Sequence, residues 1–477
     1  MASPLVLRNY IAGSFRDGYD FHEVTNPANG MLLAHAPISS AAMLEDAIGA
    51  ARQARTAWAA RPAIERAQCL RRLAALVREH APLLARTLTE EQGKIRRLAA
   101  IEVSFTADYL DYMAEWARRL EGEIISSDRA AEQIFLLRKP LGVVAGILPW
   151  NFPFFLIARK LAPALLTGNT IIIKPSEETP INCHLFAELA TKADLPPGVF
   201  NVVYGQGQTG AMLAAHGGVD MISFTGSVAT GERIAAAAAP HISKLNLELG
   251  GKAPAIVLAD ADLDLAVKAI RDSRIINSGQ VCNCAERVYV ERKVAAEFTD
   301  RISRAMSAIR YGDPGSQPEV DMGPLIHRKA QQGVLAKVQQ AVADGAQLMT
   351  GGMAEQSHGG YYFQPTVLAG CGSSMEIMRK EIFGPVLPIQ IVDDLDEAIV
   401  LANDCEYGLS SSIYTQNLAK AMQAMRMLDF GETYINRENF EAMQGFHAGV
   451  RKSGMGGADG KHGLYEYTHT QVVYLQG

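Results

Sequence analysis

Apolar and polar positions divide the chain into regions with different periods. To about Leu120 the sequence is rich in Ala, Arg and Glu, and its apolar residues recur with helical spacing. This pattern predicts a helix capped by Ser39 or Ser40 and running through Ala57, followed by helices over 62–79, 81–92 and 102–120.

From Gly142 onward, short apolar runs alternate with helical patterns. Strands are predicted at 142–148, 170–173, 199–204 and 221–224, and helices at 153–166, 181–193, 209–215 and 228–239. This alternation is typical of a doubly wound parallel sheet, which binds ligands beyond the carboxyl ends of its strands. A second α/β region is predicted from 253 to about 435, with strands at 253–258, 286–290 and 386–391.

The most apolar stretch of the chain is the run at 141–173, which is interpreted as the first buried strand, helix and strand of this pattern. Pro149, Arg159 and Asn169 interrupt the run, so a membrane span is not expected. From Leu464 to Leu475 the tail ends in alternating Thr, Val and Tyr, which predicts a strand able to pair with another subunit.

Composition narrows the class of protein. A chain of 477 residues is too long for one core, so two or three domains are expected. The net charge of −6 provides no basic field for nucleic acid. The six cysteines are scattered without zinc-like spacing, which favours free thiols in a reducing compartment and no metal site. No long apolar run marks a secretory signal near the start, so a cytoplasmic protein is expected.

Two segments carry candidate catalytic groups. Small residues surround Cys282 in the segment 277–284, although a cysteine alone is more often a buried apolar residue than a nucleophile. Glu248 stands between two leucines and before two glycines. It is either a strand-end carboxylate that faces solvent or a partly buried carboxylate with a raised pKa that serves as a general base.

Three further segments follow predicted strands. Asn151, between two prolines, either caps the next helix or donates a hydrogen bond to an oxyanion. Lys174 and Glu177 are either surface charges or groups that hold ribose hydroxyls. The small residues of 224–231 precede a helix and form a candidate phosphate site.

A fourth segment that follows a predicted strand is rich in glycine, and it is a weaker indication of a dinucleotide site. Gly205, Gly207 and Gly210 match the pattern GxGxxG after a strand. The match occurs at the third strand of the unit, and no acidic residue follows about 20 positions on. These glycines are therefore interpreted mainly as turn and packing residues.

Five of these segments and a sixth at 381–385, in this order, resemble the aldehyde dehydrogenase superfamily over nearly the whole chain, from Asn26 to the tail. They are 149–153, 174–177, 224–227, 248–252, 279–282 and 381–385. The resemblance implies a Rossmann-type cofactor domain, an α/β catalytic domain and a β oligomerisation arm. It places the cofactor domain at 1–120 and 141–250, the catalytic domain at 251–435, and the arm of a homo-oligomer, a dimer of dimers, at 121–140 and 464–477.

The same resemblance implies the catalytic roles. Cys282 would be the nucleophile and Glu248 the general base. Asn151 and the backbone N–H of Cys282 would form the oxyanion hole, and Lys160 would lie near the base.

The implied cofactor is NAD. Its contacts would be Pro149, Trp150, Lys174, Ser176, Glu177, Gly207, Phe224, Ser227, Leu249, Glu381 and Phe383. Lys174 and Glu177 would hold the adenosine ribose, Ser227 the pyrophosphate, and Glu381 the nicotinamide ribose. A carboxylate at Glu177 would repel a 2′-phosphate, which favours NAD over NADP.

A narrower resemblance is to the bacterial lactaldehyde and glycolaldehyde dehydrogenases, carried by segments 105–116, 278–287 and 435–447. It implies that Arg159, Glu441 and His447 form a polar pocket for a short hydroxyaldehyde, although Arg159 and Glu441 are equally well interpreted as a structural ion pair. Other aldehydes such as succinate semialdehyde, a coenzyme-A-acylating reaction, a cysteine hydrolase and a catalytically silent scaffold are the alternatives.

Overall fold

The structure is a computed structural model that describes residues 3–355 and 359–477. Its strands are β1 Leu5–Val6, β2 Asn9–Ile11, β3 Ser14–Arg16, β4 Asp20–Thr25, β5 Leu32–Ile38, β6 Glu123–Ser126, β7 Glu132–Pro140, β8 Val143–Ile147, β9 Thr170–Lys174, β10 Phe200–Val202, β11 Met221–Thr225, β12 Lys244–Glu248, β13 Pro254–Val257, β14 Arg287–Glu291, β15 Gln347–Thr350, β16 Ala354–Glu355, β17 Tyr362–Phe363, β18 Thr366–Ala369, β19 Val386–Val392, β20 Ser410–Tyr414, β21 Glu432–Ile435, β22 Gly454–Met455 and β23 Thr468–Gln476. Its helices are α1 Ala41–Ala60, α2 Ala63–Glu79, α3 Ala81–Gln92, α4 Arg96–Glu115, α5 Pro153–Thr167, α6 Ile181–Lys192, α7 Gly207–Ala214, α8 Val228–Ala238, α9 Leu263–Ile275, α10 Ala295–Ser307, α11 Arg328–Ala343, α12 Glu376–Arg379, α13 Leu395–Asn403, α14 Leu418–Met427 and α15 Gly460–Glu466.

The first large sheet has the strand order β22-β12-β11-β8-β9-β10-β2-β3. Strands β8 to β12 are parallel, and antiparallel strands close both edges. The chain runs outward from β8 in one direction to β10 and then returns to the other side at β11, so the topological switch point lies between β8 and β11. This strand order confirms the predicted doubly wound sheet. Ligands bind at the switch point of such sheets, so a binding site is expected at this edge.

Helix α5, which follows β8, is buried at every position. Pro153 in its first turn and Gly168 in a left-handed conformation at its end, with φ 98°, define its limits. Because the whole helix is enclosed, Arg159 and Lys160 are held inside the protein, where each charge requires a partner.

The second large sheet has the order β15-β18-β19-β14-β13-β20-β21 and is parallel except for β15. Every residue of β13 and β14 is buried, as expected for parallel strands that helices cover on both faces. The connection between β13 and β14 contains α9 and then Cys282, which lines a cavity together with Glu248 at the end of β12 of the first sheet.

The ends of the chain differ in part from the expectation. The sequence pattern did not predict β1 to β5, because β1 to β3 have only two or three residues each and the apolar residues of β4 and β5 do not alternate regularly. The predicted tail strand begins later, since α15 includes Leu464, and β23 pairs antiparallel with β7 of the same chain. In the described ranges, the structure contains no helix that is both long and apolar enough to cross a membrane.

Candidate active site

A cavity of about 340 Å³ opens at the carboxyl ends of β8, β11 and β12. It brings together twelve of the residues predicted from the sequence: Pro149, Trp150, Asn151, Arg159, Ser227, Glu248, Leu249, Cys282, Glu381, Phe383, Glu441 and His447. Lys160, Lys174, Ser176, Glu177, Gly207 and Phe224 do not line it. The chain segments that supply the lining are separated by up to about 350 positions, so this agreement depends on the fold.

Cys282 follows a tight 3₁₀ turn at Ile276–Gly279. Asn277 and Ser278 are left-handed there, with φ 47° and 60°. The backbone also passes close to Gly251, where a Cβ would lie 2.6 Å from the Cys282 carbonyl oxygen, which explains the second glycine after Glu248. Burial raises the pKa of the Cys282 thiol, and the charge of His447 opposes that shift.

Asn151 directs its side chain toward the nucleophile turn. Its Nδ2 donates to the carbonyl of Gln280 at 3.0 Å, while its own carbonyl accepts from Lys94 Nζ at 2.7 Å and Asn277 Nδ2 at 3.1 Å. Phe152, rather than Asn151, occupies the cap position of α5 and makes no side-chain capping bond. The alternative in which Asn151 merely caps this helix is therefore wrong.

Glu248 is buried, so the solvent-facing alternative is wrong. Thr225 Oγ1 donates to its Oε2 at 2.6 Å, and Lys160 Nζ lies 3.8 Å from the same oxygen. The other oxygen, Oε1, is buried without a hydrogen-bond partner. Burial acts to raise the pKa of Glu248, but the charges of Arg159, Lys160 and His447 outweigh it and lower that pKa to about 2.

The expectation of a raised pKa for Glu248 is therefore wrong. The pKa is lowered by Arg159 and Lys160 on α5 and by His447, which is nearly 200 positions away. The local sequence around Glu248 indicates none of these neighbours. Lys160 lies behind Glu248, where its Nζ donates to Ser223 Oγ at 3.1 Å. Burial lowers the pKa of Lys160 to about 8.

The predicted substrate residues form a chain of buried ion pairs. Arg159 Nε donates to Asp459 Oδ1 at 3.0 Å, and its Nη1 lies 3.5 Å from Glu441 Oε1. Glu441 Oε2 also accepts from Asn283 Nδ2 at 2.7 Å. The Arg159–Glu441 ion pair is therefore present, and both residues also line the cavity.

His447 is the third predicted substrate residue, and it also pairs with a buried carboxylate. Its Nδ1 lies 2.9 Å from Glu432 Oε1. Burial acts to lower the pKa of His447, but the carboxylate of Glu432 outweighs it, and the net shift is well above the ordinary value. The protonated form of His447 is therefore favoured, and in that form it adds a positive charge to the side of the cavity that faces Glu248.

The opposite end of the cavity contains Glu381 and Phe383. Gly251 N–H donates to Glu381 Oε1 at 3.0 Å, and a Cβ on Gly250 would lie 2.4 Å from Glu381 Oε2. The Phe383 ring meets Trp150 edge to face at 5.5 Å between centroids. Burial and the nearby charge of Glu286 raise the pKa of Glu381 to about 7.

The features expected for a dinucleotide lie along the same edge of the sheet. Lys174 Nζ is 3.1 Å from Glu177 Oε2, and the Glu177 side chain is 37% exposed, so its carboxylate is available to ribose hydroxyls. Ser227 caps α8, a helix N-terminus suited to a pyrophosphate. These groups fit NAD.

The remaining residues predicted to contact the cofactor are Ser176, Phe224 and Gly207, and the structure shows how each of them is packed. Ser176 is buried and accepts from the backbone N–H of Glu178 at 3.3 Å. Phe224 lies in the core, with its ring against Gly226. Gly207 begins α7 with open space around it, whereas a Cβ on Gly205 would lie 2.1 Å from Thr209 Oγ1. Gly205 is thus a turn glycine, as predicted.

Sequence reasoning missed several buried residues that support the site. Lys94 and Glu102 form a fully buried ion pair beside Asn151, and Glu102 accepts the N–H groups of Phe154 and Phe155 at the start of α5. Glu286, Asp459 and Asn439 were also missed. A charged residue inside an apolar helical pattern, such as Glu102 in α4, was the one available signal.

Comparisons with known proteins agree with this geometry. The model of the aldehyde dehydrogenase family matches residues 15–473. The chain is 57% identical to lactaldehyde dehydrogenase of Escherichia coli over 100% of both chains, and a crystal structure of that protein superposes with a TM-score of 0.98.

Two other relatives bear different names. The NADP-dependent succinate-semialdehyde dehydrogenase of E. coli is 39% identical, over 95% of this chain and 94% of that protein. Betaine aldehyde dehydrogenase of Staphylococcus aureus, solved in complex with NAD⁺, is 32% identical and superposes with a TM-score of 0.96, over 99% of this chain and 95% of the other. The predicted fold class and superfamily are confirmed: this chain belongs to the aldehyde dehydrogenase family.

Proposed function

We propose that the protein oxidises a short 2-hydroxyaldehyde, lactaldehyde or glycolaldehyde, to its carboxylic acid with NAD. The observation that carries this proposal is the meeting of Cys282, Asn151 and Glu248 on one small cavity. The relative with 57% identity, lactaldehyde dehydrogenase of E. coli, supports the substrate class, and the NAD⁺ complex of betaine aldehyde dehydrogenase supports the cofactor.

Cys282 supplies the nucleophile. As the thiolate, its sulfur adds to the aldehyde carbon while the C=O π electron pair moves onto the oxygen, which gives the alkoxide of a thiohemiacetal. Asn151 and the backbone N–H of Cys282 hold that oxygen. Lys94 and Asn277 fix the backbone carbonyl of Asn151, and the hydrogen bond from its Nδ2 to the Gln280 carbonyl orients its side chain before the substrate binds.

Bound NAD would supply the hydride acceptor, and loss of hydride from the substrate carbon would convert the thiohemiacetal on Cys282 into a thioester. Glu381 and Phe383 would hold the nicotinamide half at one end of the cavity, while Lys174, Glu177 and the N-terminus of α8 at Ser227 would hold the adenosine half. The charge of Glu177 would exclude a 2′-phosphate.

Glu248 activates the water that releases the acid. Its pKa of about 2 keeps it ionised at neutral pH, and its Oε1 has no protein partner, so this oxygen can accept a proton from water. A low pKa also makes it a weak base while three cations face it. Because the pKa of Lys160 is about 8, loss of the Lys160 proton at higher pH would strengthen Glu248 and speed the release of acid.

The remaining assignments extend the proposal to the whole molecule. Residues 1–120 and 141–250 would form the NAD-binding domain and 251–435 the catalytic domain. The segments 121–140 and 464–477 would join copies of the chain into a dimer of dimers, since Ile124 and Tyr474 expose apolar side chains there. The six cysteines are all free, which supports a reducing compartment such as the cytoplasm.

The test is kcat/KM for a panel of aldehydes with NAD and NADP in parallel. We expect lactaldehyde and glycolaldehyde to exceed succinate semialdehyde and betaine aldehyde, and NAD to exceed NADP. Glu177→Gln is expected to lower the ratio of kcat/KM with NAD to kcat/KM with NADP by about tenfold, because it removes one charge that repels the 2′-phosphate of NADP. A preference for succinate semialdehyde, a requirement for coenzyme A, or absence of NADH with every aldehyde would overturn the proposal.

A further inference from the structure

In the proposed mechanism Cys282 reacts as a thiolate, so another group has to take the proton of its thiol. Burial raises the pKa of Cys282, and such a thiol ionises only where a neighbouring charge or base compensates. Glu248 is a poor acceptor for this proton, because its pKa is about 2. The compensation must therefore come from another neighbour of Cys282 in the cavity.

His447 is that neighbour. Its imidazole lies within hydrogen-bonding reach of the Cys282 thiol, and both side chains line the cavity. Its Nδ1 is already engaged, since it lies 2.9 Å from Glu432 Oε1. The nitrogen left for the sulfur is Nε2. A thiol, an imidazole and a carboxylate thus form one connected series, a combination that activates nucleophilic cysteines.

The imidazole and the carboxylate are both fixed in place. His447 and Ala458 exchange two backbone hydrogen bonds, at 2.9 and 2.8 Å. Glu432 is the first residue of β21, and its Oε2 accepts from the Tyr434 hydroxyl at 2.8 Å, so its Oε1 stays directed at His447. The series is therefore held in position by the protein itself.

The charges around His447 favour its protonated form. Burial acts to lower the pKa of the imidazole, but the carboxylate of Glu432 and the hydrogen bond with Cys282 outweigh burial and the charge of Arg159. A proton that moves from Cys282 to Nε2 is therefore stabilised there. The charged groups that face the imidazole are Glu432, Glu441, Glu248, Asp459 and Arg159.

The balance around Cys282 is different. Burial, Glu441 and Glu381 all raise the pKa of its thiol, whereas the hydrogen bond and the charge of His447 lower it. Of these three side chains, only His447 stabilises the thiolate. Cys282 is itself partly exposed, so a small reagent in the cavity can reach the sulfur.

We propose that His447 is the base that ionises Cys282 and that Glu432 positions it for that role. The S–H bond of Cys282 breaks and its electron pair stays on Sγ as the thiolate, while the proton forms a bond with Nε2 of His447. The Nδ1–H of the resulting imidazolium donates to the Glu432 carboxylate. This inference rests on the proposed function, and it leaves the activation of water to Glu248.

The experiment measures the rate constant for inactivation by iodoacetamide without NAD or aldehyde, as a function of pH. Iodoacetamide reacts with the thiolate, so this rate reports the ionised fraction of Cys282. His447→Gln keeps a hydrogen-bonding side chain but cannot take the proton. We expect the variant to react about tenfold more slowly at pH 7, with the midpoint of its pH profile about one pKa unit higher. The ultraviolet absorbance of the thiolate, taken as the difference from Cys282→Ala, should show the same shift.

His184→Gln is the matched control. The Nε2 of His184 also lies beside a glutamate, 3.7 Å from Glu188 Oε1, but His184 does not line the cavity. Its replacement is expected to leave the alkylation rate unchanged. Glu432→Gln provides a second variant if loss of the imidazole disturbs folding. It should slow alkylation by a smaller factor, because an amide supports the imidazolium less well than a carboxylate.

A comparison of lactaldehyde with propionaldehyde, which lacks only the 2-hydroxyl group, separates ionisation of the thiol from substrate binding. Both aldehydes need the thiolate, so their kcat/KM values should fall by the same factor in His447→Gln. A loss confined to lactaldehyde, or alkylation rates unchanged in His447→Gln and Glu432→Gln, would overturn the assignment of His447. If the wild type oxidised no aldehyde with NAD, the proposed function would fail, and the alkylation rates, which need neither reactant, would still decide the role of His447.

Discussion

Two buried glutamates stand at opposite ends of the cavity, and their pKa values move in opposite directions. Burial alone would raise both. At the substrate end, Arg159, Lys160 and His447 lower the pKa of Glu248 to about 2. At the cofactor end, the charge of Glu286 adds to burial and raises the pKa of Glu381 to about 7.

The contrast arises from the charged residues that surround each glutamate. Glu286 remains ionised beside Glu381 because Lys252 and Arg274 pair with it, at 2.7 Å and 2.8 Å. It also accepts the N–H groups of Ile382 and Phe383, so it fixes the loop that carries Glu381. Two glutamates with similar local burial thus acquire different chemistry from residues distant in sequence.

The largest expected effect breaks the substrate end of this comparison. Glu248→Gln keeps the size of the side chain and an oxygen able to accept from Thr225, but it removes the proton acceptor. Steady-state turnover should fall by about 10²–10⁴-fold, and a burst of one NADH per site should precede it as the thioester accumulates. The burst is measured by stopped-flow absorbance and the acyl-enzyme by mass spectrometry; full steady-state activity would exclude Glu248 as the base.

An intermediate effect is expected at the cofactor end. With a pKa of about 7, Glu381 is ionised above that pH and protonated below it, and only the ionised form is a strong acceptor for ribose hydroxyls. The KM for NAD should therefore rise as the pH falls from 8 to 6. In Glu381→Gln it should be raised about tenfold and be independent of pH over that interval.

A stability measurement serves as the control for Glu381→Gln. Folding raises the pKa of this carboxyl from 4.5 to about 7, so the folded state binds the proton more tightly and its stability falls as the pH rises between those values. Removing the charge should therefore not lower the Tm at pH 8. A pH-dependent KM that persists in the variant would show that another group titrates.

Much of this architecture could be predicted from the sequence because its signals are local. Predicted helix α3 agrees with the structure at both ends, and the buried runs of β8 and β9 are unmistakable. The nucleophile and oxyanion segments follow strands and carry small residues or prolines, which a chain can display without knowledge of its partners.

The electrostatics could not be predicted, because they depend on pairs distant in sequence. Arg159 and Asp459 are 300 positions apart, and nothing local to Asp459 indicates that it lies opposite a buried arginine. The predicted direction of the Glu248 pKa shift was wrong for the same reason, because the cations that lower this pKa are distant in sequence.

The smallest expected effect concerns the two cysteines of the nucleophile turn and sharpens the comparison on a shorter scale. Cys284 is fully buried, donates to the carbonyl of Val281 at 2.9 Å, and has a pKa raised by burial to about 12, so it stays protonated. Cys284→Ala should cost about 1 kcal/mol of stability, leave kcat within about twofold, and leave the rate of inactivation by iodoacetamide unchanged. Cys282→Ala should abolish both activity and that inactivation. Cys282 lines the cavity and Cys284, two positions further along the chain, does not. If Cys284→Ala lost as much activity as Cys282→Ala, exposure to the cavity would not be what selects the reactive thiol.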